Sequence, residues 1–228
     1  MSQRALIVMA KAPAAGRTKT RLCPPLTPEQ AADLYAAILQ DVLAKVASLP
    51  GIAPFVAVAP AGAIPYFRQL APNFTLLPQA GATLSERLAG ALERVSQAGF
   101  AQVVAVSSDS PTLPAAYLEA AFAALAEPQH DAVLGPCEDG GYYLIGWLAP
   151  RPALVREVMM STPHVLRDTL AIARRDDIRV AQLPVWYDID ELADLARLQA
   201  ELRSDPAAAP ATAVALSSLE ATLAEFLP

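Results

Sequence analysis

The chain has 228 residues, with 17 Lys and Arg against 23 Asp and Glu, for a formal charge of −6. At 54% hydrophobic and 18% charged, with a mean hydropathy of +0.32, it carries the apolar content of one α/β domain, and disorder is excluded for most of its length. The acidic balance excludes a broad nucleic-acid surface, which needs a net basic footprint.

Arg4 to Ala10 is a near-continuous apolar run, as in a strand buried on both faces. It is too short for the core of a signal peptide. Thr27-Pro28-Glu29-Gln30 combines an N-cap, a proline at the first helical position and a capping-box Gln. Ala31, Leu34, Tyr35, Ile38, Leu39, Val42 and Val46 then form a helical stripe. Val46 to Phe67 is uncharged, but Pro50, Pro54, Pro60 and Pro65 exclude a spanning helix. Phe55 to Ala59 and Phe74 to Leu77 read as strands, and Thr83 with Glu86 opens a second capped helix. A buried strand from Gln102 to Ser107 precedes a helix marked by Leu118, Ala121, Phe122 and Leu125.

Asp131 to Gly135 and Tyr142 to Trp147 are strands on either side of Cys137-Glu138-Asp139-Gly140-Gly141. A helix around Pro163 to Ala173, a strand near Arg179 to Leu183 and a helix from Glu191 to Leu202 follow. The alternation predicts an α/β fold with a mostly parallel sheet and helices on both faces, filling residues 1–204. Residues 205–228 divide into an Ala/Pro-rich linker, Asp205 to Ala213, and an amphipathic helix with the stripe Leu216, Leu219, Leu223 and Phe226. That stripe either docks on the parent domain or supports a homodimer. Cys23 and Cys137 are too few for a disulfide scaffold, and with His130 and His164 they match no zinc spacing. A cytoplasmic protein without a membrane span is expected.

Four segments fall at the carboxyl edge of the expected sheet, where ligands bind in open α/β folds. Lys11, Arg17, Lys19 and Arg21 are four cations with no acid between them, and two of them belong to the chain's three lysines. With Gly16 allowing close backbone approach, they suit the phosphates of a nucleotide better than a merely solvated loop. Asp109, in Ser107-Ser108-Asp109-Ser110-Pro111, is placed to hold Mg²⁺ or Mn²⁺, or to start a turn. Glu138 and Asp139 precede Gly140, Gly141 and Tyr142, as expected of a hairpin turn that also presents Asp139 as a base. Asp188 and Asp190 share a side if their segment is extended, so one can complete a metal site while the other caps a helix.

At these positions the chain resembles the radical-SAM/selenodomain-associated transferase 1 family. The matching segments are Lys11 to Leu22, Ser108 to Leu113, Gly135 to Gly146, Ser161 to Leu166 and Trp186 to Asp190. The resemblance implies a three-layer α/β/α GT-A fold of the nucleotide-diphospho-sugar transferases. It implies a glycosyltransferase that binds a nucleotide-sugar through Lys11, Gly16, Arg17, Lys19 and Arg21. Asp109, with either Asp188 or Asp190, would hold Mg²⁺ or Mn²⁺, and Asp139 would be the base for a hydroxyl of a small-molecule acceptor. Glu138, Gly140, Gly141 and Tyr142 would contact substrate. Two further readings stand beside it: a nucleotidylyltransferase that takes a nucleoside triphosphate and releases pyrophosphate, and a nucleotide-binding protein without turnover.

Overall fold

The computed structural model describes residues 3–224 and 226; residues 1, 2, 225, 227 and 228, at the ends of the two segments read from the sequence, lie outside the described residues. Seven strands form one sheet: β1 (Arg4–Lys11), β2 (Ala53–Ala59), β3 (Thr75–Pro78), β4 (Gln102–Ser107), β5 (Ala132–Pro136), β6 (Tyr142–Trp147) and β7 (Val180–Gln182). Their order is β3-β2-β1-β4-β6-β5-β7, and every neighbouring pair is parallel except β4–β6 and β5–β6. The Asp-Gly hairpin reverses β6, because a short turn can join only antiparallel strands.

Side-chain alternation along β1 divides the core. Leu6, Val8 and Ala10 face α1 (Pro28–Ala47), α2 (Ile64–Leu70) and α4 (Ala115–Ala126), whereas Ala5 and Ile7 face α3 (Leu84–Gln97), α5 (Ala153–Arg156) and α6 (Val165–Arg175). This is a three-layer α/β/α fold with a largely parallel central sheet. Both expected capping boxes form: Thr27 Oγ1 accepts from Gln30 N at 3.2 Å, and Thr83 Oγ1 accepts from Glu86 N at 3.2 Å. The helix expected from Pro163 starts at Val165, since Ser161, in the left-handed region at φ 62°, and the turn after it delay its first turn.

The stretch read as a linker is shorter than expected. Asp205 ends α7 (Leu192–Ser204), a single 3₁₀ turn spans Pro206–Ala208, and Pro210 opens α8 (Pro210–Leu223) as a first-turn proline. Leu216, Leu219 and Leu223 are buried within the chain against α1 and α7, while Phe226 is exposed. The α8 N-terminus is held from 170 residues away: Asp41 accepts from Ala211 N at 3.0 Å, Thr212 N at 2.7 Å and Thr212 Oγ1 at 2.6 Å. The Asp41 carboxylate is buried, takes the place of a local N-cap and meets the positive end of the helix.

Asp41→Ala is therefore expected to lower stability by about 2–4 kcal/mol, because buried N–H donors lose a charged acceptor. At about 2–4 °C per kcal/mol for a chain of this size, the midpoint falls by roughly 4–16 °C. Thermal unfolding checks this, with exposed Asp33→Ala on the same helix as the control; equal midpoints for the two variants would remove Asp41 from the anchoring role.

Candidate functional site

The chain runs from β1 to β2 and β3 on one side, then returns to place β4 on the other side of β1. The strand order thus switches between β1 and β4, and the loops leaving their carboxyl ends splay apart. A cleft of about 710 Å³ opens there. It is lined by the basic loop after β1, Gln79 after β3, Ser107 to Asp109 after β4 and Tyr142 at the start of β6.

The basic loop is a compact turn. Arg17 N and Thr18 N both donate to Ala14 O, at 3.0 and 3.2 Å, and the buried Thr18 hydroxyl donates to the same carbonyl at 3.1 Å. The chain then passes through Lys19 in the left-handed region, at φ 49° and ψ 38°. This conformation accompanies an inward-directed Lys19 side chain that is only 5% exposed. Its Nζ contacts Asp109 Oδ1, lies 3.1 Å from Asp190 Oδ1 and stands over the Tyr35 ring. Burial alone would push the ammonium down, but Asp109 and Asp190 hold it above the usual lysine range. Lys11, Arg17 and Arg21 are exposed on the cleft wall, with Arg21 Nη1 3.6 Å from Asp190. Gly16, at φ 70°, shapes the turn but does not line the cleft.

The acids come together through strand-like pairing that joins distant segments. Trp186 bridges Cys137 in parallel, Trp186 N donates to Pro136 O at 3.0 Å, and Ile189 N donates to Asp109 O at 3.0 Å. Asp188 and Asp190 are thereby laid beside Asp109. Asp188 is the most buried of the three, and it accepts from Ser110 Oγ and, at 3.2 Å, from Ser107 Oγ. Burial, then the charge of Asp109, pushes its carboxyl up to about 6. Asp190 ligates Lys19; the helix that follows is capped instead by Glu191 and Asp194.

The loop that carries Asp109 is held from α1 as well. Lys45 Nζ donates to Pro111 O and Leu113 O, both at 2.7 Å, while burial pushes its ammonium down to about 8. Tyr35 and Ser108 share a 2.8 Å hydroxyl contact, and Lys11 N donates to the Tyr35 oxygen at 3.3 Å. Burial, then Asp109, raises the Tyr35 phenol to about 12, so it stays neutral at pH 7.

The hairpin residues divide between two surfaces. Asp139, Gly141 and Tyr142 line the cleft, and Asp139 Oδ1 accepts from Gly141 N at 2.8 Å. Glu138 does not line it; its carboxylate pairs with Arg197 at 2.8 Å. Gly140 has a packing role, since a Cβ there would lie 2.1 Å from Pro163 O. Burial, then Asp188, pushes the Cys137 thiol far up, which makes it a neutral packing residue rather than a nucleophile.

Among the described residues no group of three His, Cys, Asp or Glu side chains is placed to hold a metal ion by itself. Of the expected metal ligands, Asp109 and Asp190 are both paired with the Lys19 ammonium, and Asp188 lies beside them without that contact. Arg87, Gln79 and Tyr35 also line the cleft and were not legible as site residues. Arg87 did carry a signal, as a cation in the first turns of a helix that favours acids there.

The shift at Asp188 gives a pH-dependent expectation. Its folded carboxyl keeps a proton up to about pH 6, whereas the unfolded one releases it near 3.8. Folding takes up a proton between those values, so this group lowers stability as pH rises through that window, and the cost persists above it. Asp188→Asn should be more stable than the parent by about 1–3 kcal/mol at pH 7.5, at 1.36 kcal/mol per pKa unit, and little changed at pH 4. Urea unfolding at both pH values checks this; the same difference at each would contradict it.

Similar solved structures include a provisionally named nucleotide-diphospho-sugar transferase from Desulfovibrio desulfuricans G20, at 29% identity and TM-score 0.93 over 100% of both chains. A cytidylyltransferase from Leptospira borgpetersenii serovar Hardjo-bovis is similar at 10% identity and TM-score 0.60, over 98% of this chain and 96% of that one. CMP:2-keto-3-deoxy-manno-octonic acid synthetase complexed with CTP is similar at 12% identity and TM-score 0.57, over 89% and 99%. The last two likenesses are of fold, which is GT-A-like. No curated protein matches the sequence. A family model described as "Uncharacterized protein conserved in bacteria (DUF2064)" matches residues 42–162, and the chain belongs to that family.

Proposed function

We propose that the chain is a nucleotide-dependent transferase that moves a glycosyl group from a nucleotide-diphospho-sugar to a hydroxyl of a small acceptor. The observation that carries this reading is the full-length likeness to the Desulfovibrio protein, at 29% identity. The radical-SAM/selenodomain-associated transferase 1 motifs support the same reading, since they supply the basic loop, Asp109, the hairpin and the 188–190 segment. Among the described residues no helix is long and apolar enough to cross a membrane.

In this reading Lys11, Arg17 and Arg21 receive the diphosphate from the cleft wall. Lys19 leaves Asp109 and Asp190 and turns its ammonium onto a phosphate oxygen. That exchange keeps the buried cation paired with an anion throughout. It also frees two carboxylates beside Asp188. An all-oxygen, acidic donor set fits Mg²⁺ or Mn²⁺, which such sites hold through one or two carboxylates completed by substrate phosphates. Asp109 and Asp188 would hold the ion, with Asp190 beside them, and when bound it would neutralise charge developing on the leaving diphosphate. Asp139, oriented by Gly141 N, accepts the proton of the acceptor hydroxyl. Gly141 and Tyr142 supply the adjoining wall.

The three exposed cations on the cleft wall also favour a second reading, nucleotidyl transfer from a triphosphate. Incubating the chain and Mn²⁺ with nucleotide-sugars, or with nucleoside triphosphates, separates the two by phosphorus NMR. Release of nucleoside diphosphate from a nucleotide-sugar is expected; pyrophosphate from a triphosphate, with nucleotide-sugars untouched, would sink glycosyl transfer. Asp109→Asn should weaken the Mn²⁺ dependence of turnover about tenfold or more, the equivalent of 1.4 kcal/mol. An unchanged metal titration would remove Asp109 from that role.

A further inference from the structure

The cleft has two halves, on opposite faces of the sheet. Lys19 and Tyr35 belong to the face covered by α1, whereas Arg87, Leu88, Tyr142 and Met160 belong to the face covered by α3 and α6. The basic loop accounts for the first half. Nothing in the chemistry above uses Arg87.

Arg87 is held firmly in a position that is poor for a cation. Gly81 turns the chain at φ 127°, where a Cβ would meet Glu86 Cβ at 2.5 Å, and the Thr83–Glu86 capping box then starts α3. Arg87 is the fourth residue of that helix, near the end whose dipole repels positive charge. The one acid beside it in sequence is turned away: Glu86 Oε2 accepts from Ala82 N at 2.6 Å and Thr83 N at 3.2 Å. Among the described residues Arg87 forms no ion pair within 4.0 Å. Its Nε is buried without a hydrogen-bond partner, and Nη1 makes only a 3.4 Å contact with Ala82 O. A desolvated guanidinium N–H that folding leaves unmatched is costly, and in a cleft wall a ligand oxyanion is the partner that offsets it.

We infer that Arg87 binds an oxyanion, phosphate or carboxylate, carried by the second substrate rather than by the nucleotide donor. Leu84 and Leu88, on the same helix, and Met160 give that substrate an apolar flank. Ser161 and Thr162 bring hydroxyls to the same part of the wall. Asp139, in the hairpin that leads into Tyr142, faces the cleft where the hydroxyl of such a molecule would react. The acceptor class is therefore a small hydroxylated acid or phosphate ester with an apolar portion. This assignment rests on the transferase reading for its second substrate, but the Arg87 anion site itself does not.

The test uses the full chain, labelled with ¹⁵N-arginine, and inorganic phosphate and acetate as probes. Both are titrated with the chain saturated by whichever of ADP, CDP, GDP and UDP gives the largest thermal shift. A saturable shift of the Arg87 Nε–H signal by either probe is expected, and the stronger probe identifies phosphate or carboxylate as the preferred group. In Arg87→Gln, affinity for that probe should fall about tenfold or more, a loss of 1.4 kcal/mol, while nucleoside diphosphate affinity stays within about threefold. A larger loss of nucleoside diphosphate affinity would assign Arg87 to the donor and overturn the inference. So would undiminished probe binding in the variant, or no probe binding by the parent chain. If no nucleoside diphosphate binds, the donor reading fails, and the same titration without nucleotide still decides the Arg87 site.

Discussion

The buried ammonium of Lys19 is the interaction around which this molecule's cleft is organised. It is 5% exposed and joins Asp109, at the end of β4, to Asp190, 171 residues away in sequence from Lys19. Two unit charges about 4 Å apart attract by about 4 kcal/mol at the effective dielectric near a protein surface. Without the cation, Asp109, Asp188 and Asp190 would repel one another at a single strand end. With it, the 188–190 segment lies against Asp109 strongly enough for Ile189 N to pair with the Asp109 carbonyl. The left-handed backbone at Lys19, an unusual conformation for a residue with a side chain, accompanies its inward direction.

That arrangement also explains why an acidic protein is suited to one small anionic ligand. Within a net charge of −6, Lys11, Arg17 and Arg21 present a local positive wall. Lys19 is held in reserve, balanced by acids whose own chemistry suits a divalent ion. Phosphate and metal would then take opposite halves of the same ion pair. Binding of either would loosen the contact that excludes the other, so each would favour the other reciprocally. Asp188, more deeply buried and satisfied by two serines, keeps its proton up to about pH 6.

Much of this was legible because it is local. The capping boxes at Thr27 and Thr83, the apolar strand runs and the Asp-Gly hairpin depend on neighbours within a few residues, and each lies within a residue or two of its expected place. The convergence of the basic loop with Asp109 and the 188–190 segment was legible from their place at strand ends. What sequence could not disclose were partners separated by long stretches of chain. The start of α8 depends on Asp41, so an Ala/Pro-rich stretch that looks like a linker becomes a helix. Glu138 looks like a substrate contact until Arg197 is folded onto it. Lys19 looks like a free phosphate ligand until the acids of two other segments enclose it.

In the proposed site, Lys19 exchanges its carboxylate partners for a phosphate when a nucleotide binds. With only three lysines in the chain, a ¹³C-lysine-labelled sample gives a side-chain spectrum simple enough to follow each one. Titration with a nucleoside diphosphate and Mg²⁺ should move the Lys19 Cε–Hε signal, shift Lys11 as it meets phosphate, and leave Lys45 in place against Pro111 and Leu113. A Lys19 signal that stays fixed while the nucleotide saturates the cleft would show that the buried ion pair is permanent, and the exchange would be contradicted.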